Sequence, residues 1–135
     1  MLHTGFALQR RIMSENVSLF NNQVLNLIKK GTDINRKDLD GWTLLHYACT
    51  AYYDENYQTI ELLIINDADI NAKTNNGWTP LHYACNIENY QSVRLLIING
   101  AEVNAKTNNG WTPFSVTKQD RIKQLLCKYG AGVAW

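Results

Sequence analysis

Two histidine–cysteine pairs are the residues of this chain whose types and spacing could do chemistry. His46 and Cys49, and again His82 and Cys85, stand three residues apart. On a helix that spacing puts both side chains on one face, where an imidazole and a thiolate could hold zinc. A structural role for both residues competes with this. The third stretch of the same kind carries Ser115 and Lys118 in place of the pair, so no third pair completes a site. Other catalytic patterns are missing. The eight glycines are scattered and form no phosphate-cradling loop, and neither Gly-x-Ser-x-Gly nor His-Glu-x-x-His occurs. The paired carboxylates Asp54 and Glu55 have no histidine beside them to tune a general acid. The expectation is a non-enzyme with no cofactor and no metal.

Composition narrows the field further. The 135 residues suit one compact domain, and 45% hydrophobic against 19% charged residues is a globular balance. A formal net charge of +1 leaves no electrostatic drive for nucleic acid or an anionic membrane. No apolar run approaches the roughly 20 residues of a membrane span. Residues 1–11 are too polar for the apolar stretch of a signal peptide. With three cysteines, an odd number, the chain reads as reduced and cytoplasmic, with the nucleus as an alternative.

The elements that carry the pairs repeat. Asn75-Asn76-Gly77-Trp78-Thr79-Pro80 recurs as Asn108-Asn109-Gly110-Trp111-Thr112-Pro113, and Leu39-Asp40-Gly41-Trp42-Thr43-Leu44 is a third copy. Their glycines are 36 and then 33 residues apart. The additional three residues of the first interval fall between Cys49 and Asn56, where Tyr52 and Tyr53 lie. Asn-Gly and Asp-Gly suit the positive φ of a tight turn. Thr79 and Thr112 predict helix caps, followed by Pro80 and Pro113 at the first helical position. Leu81, Ala84 and Cys85 mark the buried face of a first helix, and Val93, Leu96 and Ile97 that of a second. Gly100 ends the second helix in the left-handed conformation, a role Asp67 takes one repeat earlier. A unit of turn, helix, turn and helix cannot cover its own apolar face, so units must stack.

Thr79-Pro80-Leu81-His82-Tyr83-Ala84 resembles the ankyrin-repeat signature, and the 33-residue interval agrees. The resemblance spans about residues 20–130. It implies an all-α solenoid of about four helix-turn-helix units joined by β-hairpin-like fingers. The expected division is a degenerate N-terminal capping repeat at 1–35, a repeat with the three-residue insertion at 36–71, a repeat at 72–104, and a shortened C-terminal capping repeat at 105–135. In the caps, Val24, Leu27 and Ile28, and Ile122, Leu125 and Leu126, stand for the second helix. The helix expected before the first of these falls within Phe6 to Ser14. The stretch Gly130-Ala131-Gly132 reads as a tail.

The resemblance also implies roles. His46 and His82 become structural, bonded near the finger and the capping threonine, and Cys49 and Cys85 become small buried residues. Stacked helices lie roughly 8–10 Å apart, beyond disulfide reach for equivalent cysteines. The implied function is binding another protein, as adaptor, inhibitor or effector delivered into a host cell, by a monomer. The expected contact surface is the fingertips and concave helix face: Trp42, Trp78 and Trp111, the finger residues Lys37, Lys73 and Lys106, the tip residues Asn75, Asn76, Asn108 and Asn109, and Tyr52 and Tyr53 of the insertion. Rigid aromatics beside basic groups suit an interface hot spot; rings that simply cover finger and helix, and a tolerated loop at Tyr52 and Tyr53, are the alternatives. Ile65 and Ile98 stand where the caps carry Lys29 and Lys128. Burial against neighbouring repeats is expected of them, with an apolar strip for self-association as the alternative.

Overall fold

The computed structural model describes residues 17–50 and 56–132. Among these, the chain forms seven helices and no strand: α1 (Val17–Lys29), α2 (Leu44–Cys49), α3 (Asn56–Ile65), α4 (Pro80–Asn86), α5 (Tyr90–Ile98), α6 (Pro113–Val116) and α7 (Asp120–Lys128). The all-α solenoid expected from the repeats is what the chain adopts. The helix expected near 6–14 lies outside the described residues, as do Asp54, Glu55, Tyr52 and Tyr53.

One local device starts each first helix. Thr43, Thr79 and Thr112 keep extended backbone, and each side chain accepts the N–H three residues on. The side chain at that third position, His46, His82 or Ser115, accepts the threonine's own N–H in return. Such a reciprocal cap satisfies donors that a helix start leaves open, and its loss costs on the order of 1 kcal/mol. Pro80 and Pro113 follow where a missing N–H costs nothing.

The helices assemble in two layers. The first helices α2, α4 and α6 pack side by side, as do the second helices α1, α3, α5 and α7, and α2, α4 and α6 each rest on the second helix next in the chain. The seam between the layers is the core. Leu81, Ala84, Cys85, Val93, Leu96 and Ile97 are buried there, as their spacing predicts, together with Ile122, Leu125 and Leu126 of α7. Phe20 and Val24 of α1 close the other end. The second helices end as expected, with Asp67 at φ +68° and Gly100 at φ +100°. The residue after each of these returns its N–H to the helix: Ala68 to Leu63 and Ala101 to Leu96, both at 3.0 Å.

Two expectations fail. Ile65 and Ile98 are 71% and 50% exposed rather than buried against the neighbouring repeats. Each stands one step beyond the inward-facing residues, about 100° around the helix, at its last turn. And Gly130-Ala131-Gly132 is no loose tail. Ala131 is buried, its N–H bonds Leu126 at 3.0 Å, and the Gly132 N–H donates to Asn104 at 2.7 Å.

Candidate functional site

The row of fingers between the helix pairs carries most of the residues that the sequence singles out. Each finger closes on itself. Thr74 N–H donates to the Trp78 carbonyl at 2.9 Å and Gly77 N–H to Thr74 at 2.8 Å; Thr107, Trp111 and Gly110 repeat this at 2.9 Å each. The turn needs a left-handed residue, and Gly77 and Gly110 stand at φ +81° and +83°. Gly77 also meets the next finger. A Cβ there would lie 2.8 Å from the Asn108 nitrogen, whereas one on Gly110 would meet nothing within 4 Å.

Many of the polar tip residues are committed to holding neighbouring fingers together. Asn75 donates its backbone N–H to Asp40 at 3.0 Å and its side-chain amide to Leu39 at 2.8 Å. Asn108 repeats this on Asn76 and Asn75, at 3.0 and 2.9 Å. Lys37 Nζ donates to the Lys73 carbonyl at 2.8 Å, and Lys73 Nζ to that of Lys106 at 3.4 Å. Asn76, Asn109 and Lys106 remain as exposed tip residues. At the base of the fingers, Asn35, Asn71 and Asn104 each clamp the next turn along the array. Asn71 donates to the Gly100 carbonyl at 3.2 Å and accepts the Glu102 N–H at 2.8 Å. The sequence reading missed this ladder, although the 33-residue recurrence of Asn71 and Asn104 was its signal.

The histidines are the rivets of the array. Nδ1 of His46 accepts the Thr43 N–H at 2.9 Å, so the ring proton sits on Nε2, which faces the carbonyls of Ala72 at 2.9 Å and Trp78 at 3.1 Å. His82 repeats this on the Thr79 N–H at 3.0 Å and the Trp111 carbonyl at 3.0 Å. Both ring nitrogens thus have protein partners, which is a structural rather than a metal-binding arrangement. Burial of the neutral ring pulls the His46 pKa down to about 4 and lowers that of His82. Cys49 and Cys85 are buried free thiols whose pKa burial pushes upward, and Cys127 is half-buried. A buried thiol held protonated is a poor nucleophile. Among the described residues no group of three or more His, Cys, Asp and Glu side chains gathers as a metal site would require.

The aromatic residues form a column on the first-helix side. The Trp42 ring lies 4.8 Å from Tyr47 and 4.5 Å from Tyr83, and Trp78 lies 5.0 Å from the same Tyr83. Tyr47 donates its hydroxyl to Asp38, and the Tyr83 hydroxyl lies beside the side chain of Thr74, the equivalent finger position. Trp42 and Trp78 are half-buried, while Trp111 is 49% exposed and touches no ring among the described residues.

Glu88 is a residue that sequence reasoning passed over. It holds φ +65° between α4 and α5. Its carboxylate accepts the Thr117 hydroxyl at 2.9 Å and the N–H groups of Lys118 and Gln119 at 2.8 and 3.1 Å. It therefore anchors the connection between α6 and α7, where the last repeat is shortened.

A family model described as ankyrin repeats (3 copies) matches residues 14–107 and, in a second placement, 49–133. No curated protein matches the chain.

Proposed function

We propose that this chain, which belongs to the ankyrin-repeat family, is a non-catalytic module that grips a partner protein by its finger row. Repeats of this family are generally protein–protein interaction modules and typically non-enzymatic. The observation that carries the assignment to the fingers is the row of indoles at equivalent finger positions, of which Trp111 is 49% exposed on a finger where Lys106 and Asn109 are exposed too. Hydrogen bonds between neighbouring fingers hold this surface in shape before any partner arrives, which lowers the ordering cost of binding. We assign the same role to Trp42, Trp78, Lys37, Lys73, Asn75, Asn76 and Asn108 along the row and to Tyr52 and Tyr53 of the insertion. The repeat boundaries at 1–35, 36–71, 72–104 and 105–135 belong to this reading, as does action as an adaptor, inhibitor or effector in the reducing interior of a cell. Among the described residues no helix is long and apolar enough to cross a membrane.

The test is capture of partners from the native cell, identification of the protein retained, and titration of that purified protein with wild type and with Trp111→Ala and Trp78→Ala. A loss of at least tenfold in affinity with an unchanged fold supports the finger row. Undiminished affinity in both variants refutes it. A second reading, self-association, draws on the exposure of Ile65 and Ile98 at equivalent positions of α3 and α5. Sedimentation of wild type and an Ile65→Glu, Ile98→Glu double variant decides it: a monomeric wild type ends that reading.

A further inference from the structure

The aromatic column has a regular order, and one position departs from it. In the two upstream units a tyrosine sits on the first helix with its hydroxyl towards the finger residue nine positions before it: Tyr47 donates to Asp38, and the Tyr83 hydroxyl lies beside the Thr74 side chain. The Tyr83 ring contacts two indoles in tilted geometry, 4.5 Å from Trp42 and 5.0 Å from Trp78. One repeat further on, the register places Val116 where the tyrosine would stand and Thr107 where its hydroxyl would be received. Val116 is half-buried, and Trp111, the indole on the far side of that position, is 49% exposed. Thr107 is buried and its Oγ1 accepts the Trp111 N–H at 3.1 Å, as Thr74 Oγ1 accepts the Trp78 N–H at 3.2 Å. By register, Trp78 and Trp111 stand where the upstream site has Trp42 and Trp78, and Thr107 stands where it has Thr74, but Val116 replaces the phenol.

We propose that the position over Val116, between Trp78 and Trp111, receives a tyrosine side chain from the partner protein. The chemistry of the occupant is read from Tyr83, which fills the same environment one repeat earlier. Tilted contacts with two indoles favour a ring, and the Thr107 hydroxyl favours one that carries a polar tip. This inference rests on the finger-row function proposed above and narrows it to one repeat and one side chain.

The experiment uses p-cresol, the tyrosine side chain as a free molecule, titrated into the full chain while the indole N–H signals are monitored by NMR. Wild type is expected to show saturable shifts at Trp78 and Trp111 with Trp42 unmoved. Val116→Tyr, which supplies the ring internally, is expected to weaken the response at least tenfold. Trp111→Ala removes an exposed wall and is expected to abolish the shift at Trp78, so the proposal stays testable if Val116→Tyr fails to fold. Equal responses in wild type and either folded variant, or shifts centred on Trp42, overturn it. The two proposals also fail separately. A captured partner that loses affinity to Trp111→Ala but keeps it for a folded Val116→Tyr leaves the finger row standing and removes the tyrosine site.

Discussion

The central and last repeats share a finger, a cap and a proline, yet among the described residues only the central finger has a neighbour on both sides. Its finger receives Asn108 on the backbone of Asn75 and Asn76. Its His82 reaches across to the Trp111 carbonyl, and its Tyr83 joins two indoles. In the last repeat Ser115 completes the same cap, but among the described residues its side chain bonds Thr112 alone. Val116 replaces the tyrosine, and among the described residues nothing stacks on Gly110. The same local sequence therefore has different energetic weight according to what packs on it. In a short solenoid, stability lies largely in such interfaces between neighbours.

The largest effect should come from Gly77→Val against Gly110→Val. Both residues sit at a positive φ that strains a β-branched residue by about 1–3 kcal/mol. At Gly77 the new Cβ also collides with the Asn108 backbone, so the cost should exceed that range. Asn109→Ala, at the exposed tip, should change little. Urea midpoints of the three variants check the order, and equal losses at the two glycines would mean that finger-to-finger contact adds nothing.

Acid should act next. His46 is neutral and buried, and its pKa falls from 6.5 to about 4 on folding. The unfolded chain therefore takes up a proton that the native state refuses. The contribution of the neutral ring is fully present above pH 6.5 and is lost as pH falls towards 4, by about 3 kcal/mol. His82 shifts in the same direction. The last repeat has no such group, since Ser115 does not titrate there. Urea melts at pH 7 and pH 4.5 should show the loss, and His46→Gln should flatten the slope between them.

Below these lies the contrast of rivet and cap. His82→Gln gives up the bond to the next finger and should cost about 1–3 kcal/mol. Ser115→Ala loses only the reciprocal half of a cap in an exposed turn, about 1 kcal/mol or less. Thermal midpoints separate them, and a Ser115→Ala loss as large as that of His82→Gln would contradict the distinction.

Among the tryptophans, the smallest effect is expected at Trp111→Ala. Full burial of a tryptophan is worth about 3–5 kcal/mol, and a ring half in water with no aromatic neighbour should cost well under that, roughly 1 kcal/mol. Trp42→Ala and Trp78→Ala should cost more, with Trp42 first because Tyr47 and Tyr83 both contact it. Chemical denaturation of the three variants gives the ranking directly, and a flat series would remove the distinction between Trp111 and the two packed indoles.

Local rules made much of this protein legible. Turn glycines, threonine caps and first-position prolines each act within a few residues, so their chemistry is written in short strings such as Asn76-Gly77-Trp78-Thr79-Pro80. The same holds for the buried faces of α4, α5 and α7, because helical spacing alone groups Leu81 with Ala84 and Val93 with Leu96 and Ile97. The partners of residues some thirty positions apart were decided by tertiary structure. That Lys37 and Lys73 reach neighbouring carbonyls, that Asn75 and Asn108 join fingers, and that Glu88 anchors the turn at Lys118 emerge only once the repeats are stacked. The exposure of Ile65 and Ile98 was settled there too, since apolar character does not say which side of the last helical turn meets a neighbour. The three tryptophans show the division most plainly. They occupy one position in three copies of one motif, and the next repeat decides how far each ring meets solvent. It brings a tyrosine to Trp42 and a valine to the register position beyond Trp78, while no further repeat lies beyond Trp111 among the described residues.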